Sequence, residues 1–185
     1  MTDKLYIFFD SETTGVPRDY KSPTTDTSNW PRMVQLGWIL MDGEGNRLSQ
    51  KDYIIRSDGY TIPDDVVRIH GITTQRALEE GLDLAPVVDE FMADFDQATF
   101  IVGHNIDFDK KILGAELIRS KRTYCTMQTG TNFCRIPGKY GYKWPKLQEL
   151  YIKLFGHDFD GAHNAMSEIE ATQECFWELR RRRLI

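Results

Sequence analysis

Leu5-Tyr6-Ile7-Phe8-Phe9 is a run of five apolar residues that ends on Asp10 and then turns polar through Ser11-Glu12-Thr13-Thr14-Gly15. A short aromatic and aliphatic run without polar alternation marks a strand buried inside a sheet, and the glycine-containing segment after it marks where the chain leaves the core. Residues 5–10 therefore predict a central strand that delivers two carboxylates at its end. Residues two apart in an extended segment project to the same face, so Asp10 and Glu12 can converge on one point. Two like charges that close repel strongly unless a cation lies between them. Taken alone, the pair also fits one acid in solvent and the other capping a turn.

Around this strand the pattern predicts a mixed sheet. Residues 18–30 are polar and bracketed by Pro17, Pro23 and Pro31, which reads as an irregular surface loop. Residues 33–41 and 47–56 read as two further strands joined by the turn Asp42-Gly43-Glu44-Gly45-Asn46, most economically an antiparallel pair. Residues 63–69 and 73–80 suit short helices, the second with Thr73 as N-cap. Val87, Val88, Phe91 and Phe95 recur at helical spacing within 85–95. A fourth strand is expected at 99–102, a helix over about 107–120 with Phe108, Ile112, Ala115 and Ile118 on one side, and an edge element at 123–127. Pro145 is placed to open a helix through residue 155, and a last helix is expected over about 164–183. No repeat, low-complexity tract or linker interrupts the order. These elements predict an α/β fold, a mixed five-stranded sheet flanked by helices, as one domain over residues 1–185.

With 185 residues, 41% of them hydrophobic, the chain suffices for one core. A net charge of −5 argues against a protein that coats nucleic acid by bulk electrostatics. It leaves a metal-dependent nuclease open, because bound cations supply the positive charge that meets phosphate. Cys125, Cys134 and Cys175 form no closely spaced metal-type pair, and an odd number leaves one over in any disulfide scheme, so free thiols in a reducing compartment are expected. The first residues lack the apolar segment of a signal peptide, and no window reaches the length of a membrane span. The expectation is a soluble cytoplasmic protein with no membrane partner; nothing in the sequence bears on its oligomeric state.

Two more segments carry chemistry-bearing residues at the junctions of elements. In Gly103-His104-Asn105-Ile106-Asp107-Phe108-Asp109 a strand gives way to a helix. Acids in a first helical turn ordinarily serve the helix dipole, a reading that suits Asp107. Asp109 can instead lean over the neighbouring strand that carries Asp10, and the sequence does not rank the two. In Gly161-Ala162-His163-Asn164-Ala165-Met166-Ser167-Glu168 a histidine precedes an acid by about one helical turn. A lone histidine is more often structural than a base, and Glu168 fits an ordinary exposed helix position. The combination, in order and at three places where strand ends and helix starts meet, is what changes the weighing.

Together the three segments resemble the Exo I, Exo II and Exo III motifs of the DEDDh exonucleases. That group contains the proofreading subunit of bacterial DNA polymerase III, RNase T, oligoribonuclease and the three-prime repair exonucleases. Asp10 through Gly15 resembles the first motif, His104-Asn105 through Phe108-Asp109 the second, and His163 with Glu168 the third. Val34-Gln35-Leu36 and Ile69-His70-Gly71-Ile72-Thr73 extend the likeness between the motifs, so it spans nearly the whole chain. The resemblance implies an RNase H-like fold and a 3′→5′ exonuclease that releases nucleoside 5′-monophosphates. It implies two Mg²⁺ or Mn²⁺ ions bridged by Asp10 and completed by Glu12, Asp109 and Glu168, with His163 taking a proton from the attacking water. It also implies that Thr13, Thr14 and Val16 border the terminal nucleotide, Val16 standing where a wedge-like leucine is common. His104 and Asn105 belong either to substrate binding or to the orientation of their own loop. One position departs from the pattern: the last acid of the family is aspartate, and here it is Glu168, longer by one methylene. Near-octahedral Mg²⁺ tolerates displaced ligands poorly.

Basic residues cluster at Lys110-Lys111, 119–122, 139–146 and 180–183, and such runs are ordinarily solvated surface. Lys139-Tyr140-Gly141-Tyr142-Lys143-Trp144 differs by interleaving cations with aromatics, as single-strand binding surfaces do. Trp144 before Pro145 fits a core anchor equally well. The expected partner is a single-stranded DNA 3′ end, or RNA. The segments Trp30-Pro31-Arg32-Met33-Val34-Gln35 and Lys143-Trp144-Pro145, which look like those of stand-alone DNA-directed members, tip the expectation toward DNA. Two alternatives stand beside it: a catalytically weakened nucleic-acid-binding module, and an exoribonuclease for small oligoribonucleotides.

Overall fold

The computed structural model describes residues 4–26, 28–114 and 122–185. Its centre is a five-stranded sheet in the order β3-β2-β1-β4-β5. Strands β1 (Tyr6–Thr13), β2 (Met33–Met41) and β3 (Arg47–Ile54) form an antiparallel meander, while β4 (Phe100–Gly103) and β5 (Arg122–Cys125) run parallel to β1. Among the described residues the sheet is accompanied by seven helices: α1 (Asp64–His70), α2 (Thr74–Glu80), α3 (Leu84–Gln97), α4 (Ile106–Leu113), α5 (Thr126–Cys134), α6 (Leu147–Phe155) and α7 (Ala165–Arg181).

The apolar run that opens the sequence is central because both its faces are covered. Ile7 and Phe9 pack with Leu36, Trp38, Leu40 and Ile101 against Val87, Phe91 and Phe95 of α3 and Ile106 of α4. Tyr6 and Phe8 point the other way, joining Ile39, Met41, Phe100 and Val102 against Ile169 and Phe176 of α7. Each of Tyr6, Ile7, Phe8 and Phe9 is at most 2% exposed, so the missing polar alternation is the signature of a strand between two helical layers. Behind α7, Leu147, Leu150, Tyr151 and Leu154 of α6 meet Ala171, Cys175 and Leu179.

Several expected elements shift. Strand β1 continues through Ser11-Glu12-Thr13 rather than stopping at Asp10, because β2 pairs alongside it to the end, with Asp10 opposite Gly37, Glu12 opposite Gln35 and an irregularity between Glu12 and Thr13. Helix α4 stops at Leu113, where Gly114 takes a φ of 93°. The expected continuation, with Ala115 and Ile118, lies outside the described residues. The expected edge element is β5, but Thr126 and Met127 belong to α5, a helix the sequence did not announce. Pro145 stands before α6 rather than in it, with Lys146 as N-cap. Thr73 caps α2 as expected, accepting from the Arg76 N–H at 3.1 Å. The three cysteines are free thiols. No helix among the described residues is long and apolar enough to cross a membrane.

Candidate active site

The antiparallel register delivers the first pair of acids. Asp10 and Glu12 alternate with buried Ser11 and Thr13 and share the face of β1 that carries Tyr6 and Phe8, toward α7. What lets α7 come this close is Gly37, the β2 residue opposite Asp10. A β-carbon there would stand 2.8 Å from Ile169 Cδ1 and 3.6 Å from Ala165 Cβ, so a side chain at this position would press on Ile169 and, if larger than a methyl, on the start of α7 at the level of Asp10. Glu168 sits in that turn.

The second motif is folded by a similar close approach. A β-carbon on Gly103 would meet Ile106 Cδ1 at 2.5 Å, so α4 begins hard against the end of β4. Asn105, at φ 59° and ψ 34°, turns the chain into α4 in the left-handed region that asparagine tolerates better than most residues. The turn settles which acid faces the strand. Asp107 is exposed, 3.5 Å from Lys110, whereas Asp109 is 3% exposed and points at β1. Its Oδ1 accepts two hydrogen bonds from Ser11, from the backbone N–H at 3.1 Å and from the hydroxyl at 2.7 Å. Nothing in the sequence marked Ser11; its signal was only its place between two acids on an alternating strand, which aims it at the opposite layer.

The third motif approaches α7 through a tight turn in which Gly161 (φ 77°) and His163 (φ 67°) both occupy the left-handed region. For a non-glycine residue that conformation costs energy and persists only where its surroundings impose it. Asn164 caps α7 by accepting from the Ser167 N–H at 3.1 Å. Glu168 folds back on the same turn: its Oε1 accepts from the His163 backbone N–H at 2.9 Å and lies 3.7 Å from His163 Nδ1. The imidazole is half exposed.

The electrostatics show that the four carboxylates converge. Burial, followed by the charges of Asp109, Glu168 and Glu12, holds Asp10 well above the usual carboxylate range. Burial, then Glu168 and Asp109, pushes Glu12 up to about 8. Burial also raises Asp109, against the Ser11 hydrogen bonds that favour its ionised form, and with a further push from Glu168 it reaches about 7. In this conformation no three histidine, cysteine or acidic side chains among the described residues stand ready as a metal cage. The donor chemistry nonetheless fits a hard divalent cation: all four groups are oxygen ligands, and their mutual repulsion is what such a charge relieves.

The neighbouring residues fall into two kinds. Val16 is 70% exposed, which removes the reading that it packs internally; Thr13 is buried, donating from its hydroxyl to the Gly15 carbonyl at 2.7 Å. Thr14 is tied to Arg32 in both directions, its N–H donating to the Arg32 carbonyl at 2.9 Å and its hydroxyl accepting from the Arg32 N–H at 3.0 Å. His104 is engaged at both ring nitrogens, Nδ1 with the Thr126 hydroxyl at 3.1 Å and Nε2 with the Pro145 carbonyl at 3.2 Å. The carbonyl only accepts, so Nε2 carries the hydrogen. Burial pulls this imidazole down to about 4, and the neutral ring acts as a strut. Asn105 is exposed beside it.

A mixed sheet in this order, with helices on both faces and acids gathered at the end of its central strand, has the RNase H-like exonuclease fold. The chain belongs to the RNase T family of exonucleases, whose sequence pattern it matches over residues 7–176. It is 26% identical over 178 residues to the DNA polymerase III subunit epsilon of Treponema pallidum (strain Nichols), a match covering 92% of this chain and 74% of that protein. Its fold is similar to that of E. coli Exonuclease I in complex with a dA16 oligonucleotide, with a TM-score of 0.72 at 18% identity over 98% of this chain. A second exonuclease I structure gives 0.75 at 20% identity. The chain spans 42% of the length of those exonuclease I chains.

Proposed function

We propose that this chain is a divalent-metal-dependent 3′→5′ exonuclease that removes nucleoside 5′-monophosphates from single-stranded DNA ends. The observation that carries the reading is the gathering of Asp10, Glu12 and Asp109 around the end of β1, each raised first by burial and then by neighbouring acids, with Glu168 acting on all three. Like charges gathered from three separate segments cost stability, and such a cost is characteristic of functional sites. Asp10, Glu12, Asp109 and Glu168 would hold two Mg²⁺ or Mn²⁺ ions. Bound there, the ions would activate water and offset the charge that develops on the scissile phosphate and the departing 3′ oxygen. Ser11 holds Asp109 in place. The half-exposed His163 imidazole, next to Glu168, accepts a proton from the attacking water. Thr13, Thr14 and the exposed Val16 border the terminal nucleotide, and His104 braces the loop that bears Asn105. The name of the Treponema relative supports a DNA substrate, and the oligonucleotide in the exonuclease I complex supports a single strand.

A 3′-labelled single strand incubated with Mg²⁺ or Mn²⁺ tests this. Label should appear at once as mononucleotide, faster from DNA than from matched RNA, and Asp10→Asn should abolish it. Retention of label with both metals on both polymers removes the catalytic claim.

The hydrogen bond from the His163 N–H to Glu168 favours a second reading, a damped nuclease that binds ends better than it cleaves them. Glu168→Asp decides between the two. A gain in hydrolysis of roughly tenfold or more at unchanged end binding establishes the damped form, because a shorter acid would be freed for metal; no gain dismisses it.

A further inference from the structure

Residues 137–144 form a feature that neither the core nor the four-acid site uses. Pro137–Gly138 and Gly141–Tyr142 pair as a two-stranded hairpin, β6 and β7, closed at its base by the Lys143 N–H donating to the Ile136 carbonyl at 2.9 Å. Gly141 permits the tight turn with a φ of 126°. This small ladder carries its aromatics outward: Tyr140 is 90% exposed, Tyr142 51% and Trp144 62%. Trp144 is therefore no core anchor. Large aromatics on a surface lose the burial that normally holds them, and a cluster of them marks a binding surface.

The charge of the patch narrows the partner. Residues 138–146 contain Lys139, Lys143 and Lys146 and no acid, within a chain whose net charge is −5. The Lys139 ammonium lies 5.1 Å from the centre of the Tyr140 ring, and Lys143 is held by Glu149 at 2.6 Å. A ligand that is both flat and anionic satisfies rings and cations together. Paired bases cannot stack on such rings, which leaves unpaired ones.

The position of the patch fits as well. Pro145, next to Trp144, gives its carbonyl to His104 Nε2. His104 directly follows β4, whose parallel register with β1 runs to Val102 opposite Phe8, two residues before Asp10. The hairpin thus stands at the end of the sheet where the acids gather, fixed to the second-motif loop by the half-buried imidazole of His104.

We infer that the hairpin and Trp144 form a stacking platform for the single strand leading to the active site, engaging nucleotides upstream of the one removed. This rests on the exonuclease reading above. The platform makes catalysis depend on strand length, since a dinucleotide cannot reach both sites while a longer strand occupies both.

The triple variant Tyr140→Ser/Tyr142→Ser/Trp144→Ser tests it in the full chain, with circular dichroism confirming the fold. Affinity for 5′-fluorescein-dT12 is measured by anisotropy in EDTA, and kcat/KM for dT12 and for dT2 with Mn²⁺. Anisotropy should show affinity falling about tenfold or more. The loss in kcat/KM should be far larger for dT12 than for dT2. Equal dT12 affinity in variant and native protein overturns the platform and leaves the patch to a protein partner. Equal loss on dT2 and dT12 also overturns it, by placing the rings at the scissile end. Native protein that cleaves neither substrate defeats the exonuclease reading itself, a result distinct from both.

Discussion

At the scale of single residues, the two hydrogen bonds from Ser11 to Asp109 are the clearest case of a side chain tuned by its neighbour. They favour the ionised carboxylate while burial and Glu168 oppose it, leaving Asp109 at about 7. Ser11→Ala removes the stronger hydroxyl bond, so the group must move further up and be more often protonated at neutral pH. Because a cation must displace that proton, Mn²⁺ affinity at pH 7 should fall by roughly fivefold for a rise of about one pKa unit, and the deficit should shrink as pH is raised. Calorimetric titration of Mn²⁺ at pH 7 and pH 8.5 reads both effects; an unchanged affinity at pH 7 would show that Ser11 does not set the ionisation of Asp109. The choice between Asp107 and Asp109 was closed to the sequence for a related reason. Phe108 read as a core position, but the buried face of α4 runs through Ile106 and Asp109, with Phe108 only half-buried. One acid of a first turn becomes functional only when its helix is rotated onto a strand, and that phase is set by the Gly103–Ile106 approach rather than by the composition of the helix.

At the scale of elements, the site depends on how closely α7 lies against β2. Gly37 leaves the space that the end of the Ile169 side chain fills. Gly37→Val should force Ile169 and the first turn of α7 outward, destabilising the protein by about 1–3 kcal/mol and moving Glu168 from Asp10. Activity should fall more than stability alone explains, and a compensating Ile169→Ala should restore part of it, giving a measurable interaction energy in a double-mutant cycle. Strictly additive effects would mean that the two residues do not share that space. Strands β1, β2 and β3 were legible because hydrophobic runs and turn residues act locally: Asp42 accepts from the Glu44 and Asn46 N–H groups in the turn that joins β2 to β3. Helix α5 was not. Thr126, Thr129, Gly130 and Thr131 are weak helix formers, and the element is held by packing, with a Gly130 β-carbon position only 2.9 Å from Leu150 Cδ1. The hairpin β6–β7 escaped notice because two-residue strands carry no periodicity to read.

At the scale of the molecule, the acid cluster is a strain on folding that pH and metal act upon in opposite senses. Glu12 rises from an ordinary 4.5 to about 8 and Asp109 from 3.8 to about 7 on folding. A carboxyl group whose folded value lies above its unfolded one binds its proton more tightly in the native state. Its contribution is therefore fully present below about pH 4 and is lost as pH rises through about 7 to 8. The histidines act the other way: His104, held at about 4 in the fold, gains a proton on unfolding below its ordinary 6.5, so the window that isolates this cluster is pH 7 to 8.5. In EDTA the melting temperature should fall across that window by a few degrees. Asp109→Asn, which keeps the Ser11 neighbour but cannot ionise, should flatten the slope. Saturating Mn²⁺ should reverse it, because cation binding strengthens as the carboxylates deprotonate; at 100 times its dissociation constant the ion adds about 2.7 kcal/mol. A metal-free melting temperature that climbs from pH 7 to 8.5 would mean that the four carboxylates do not crowd one another, and the ground for assigning them a shared pair of cations would be gone.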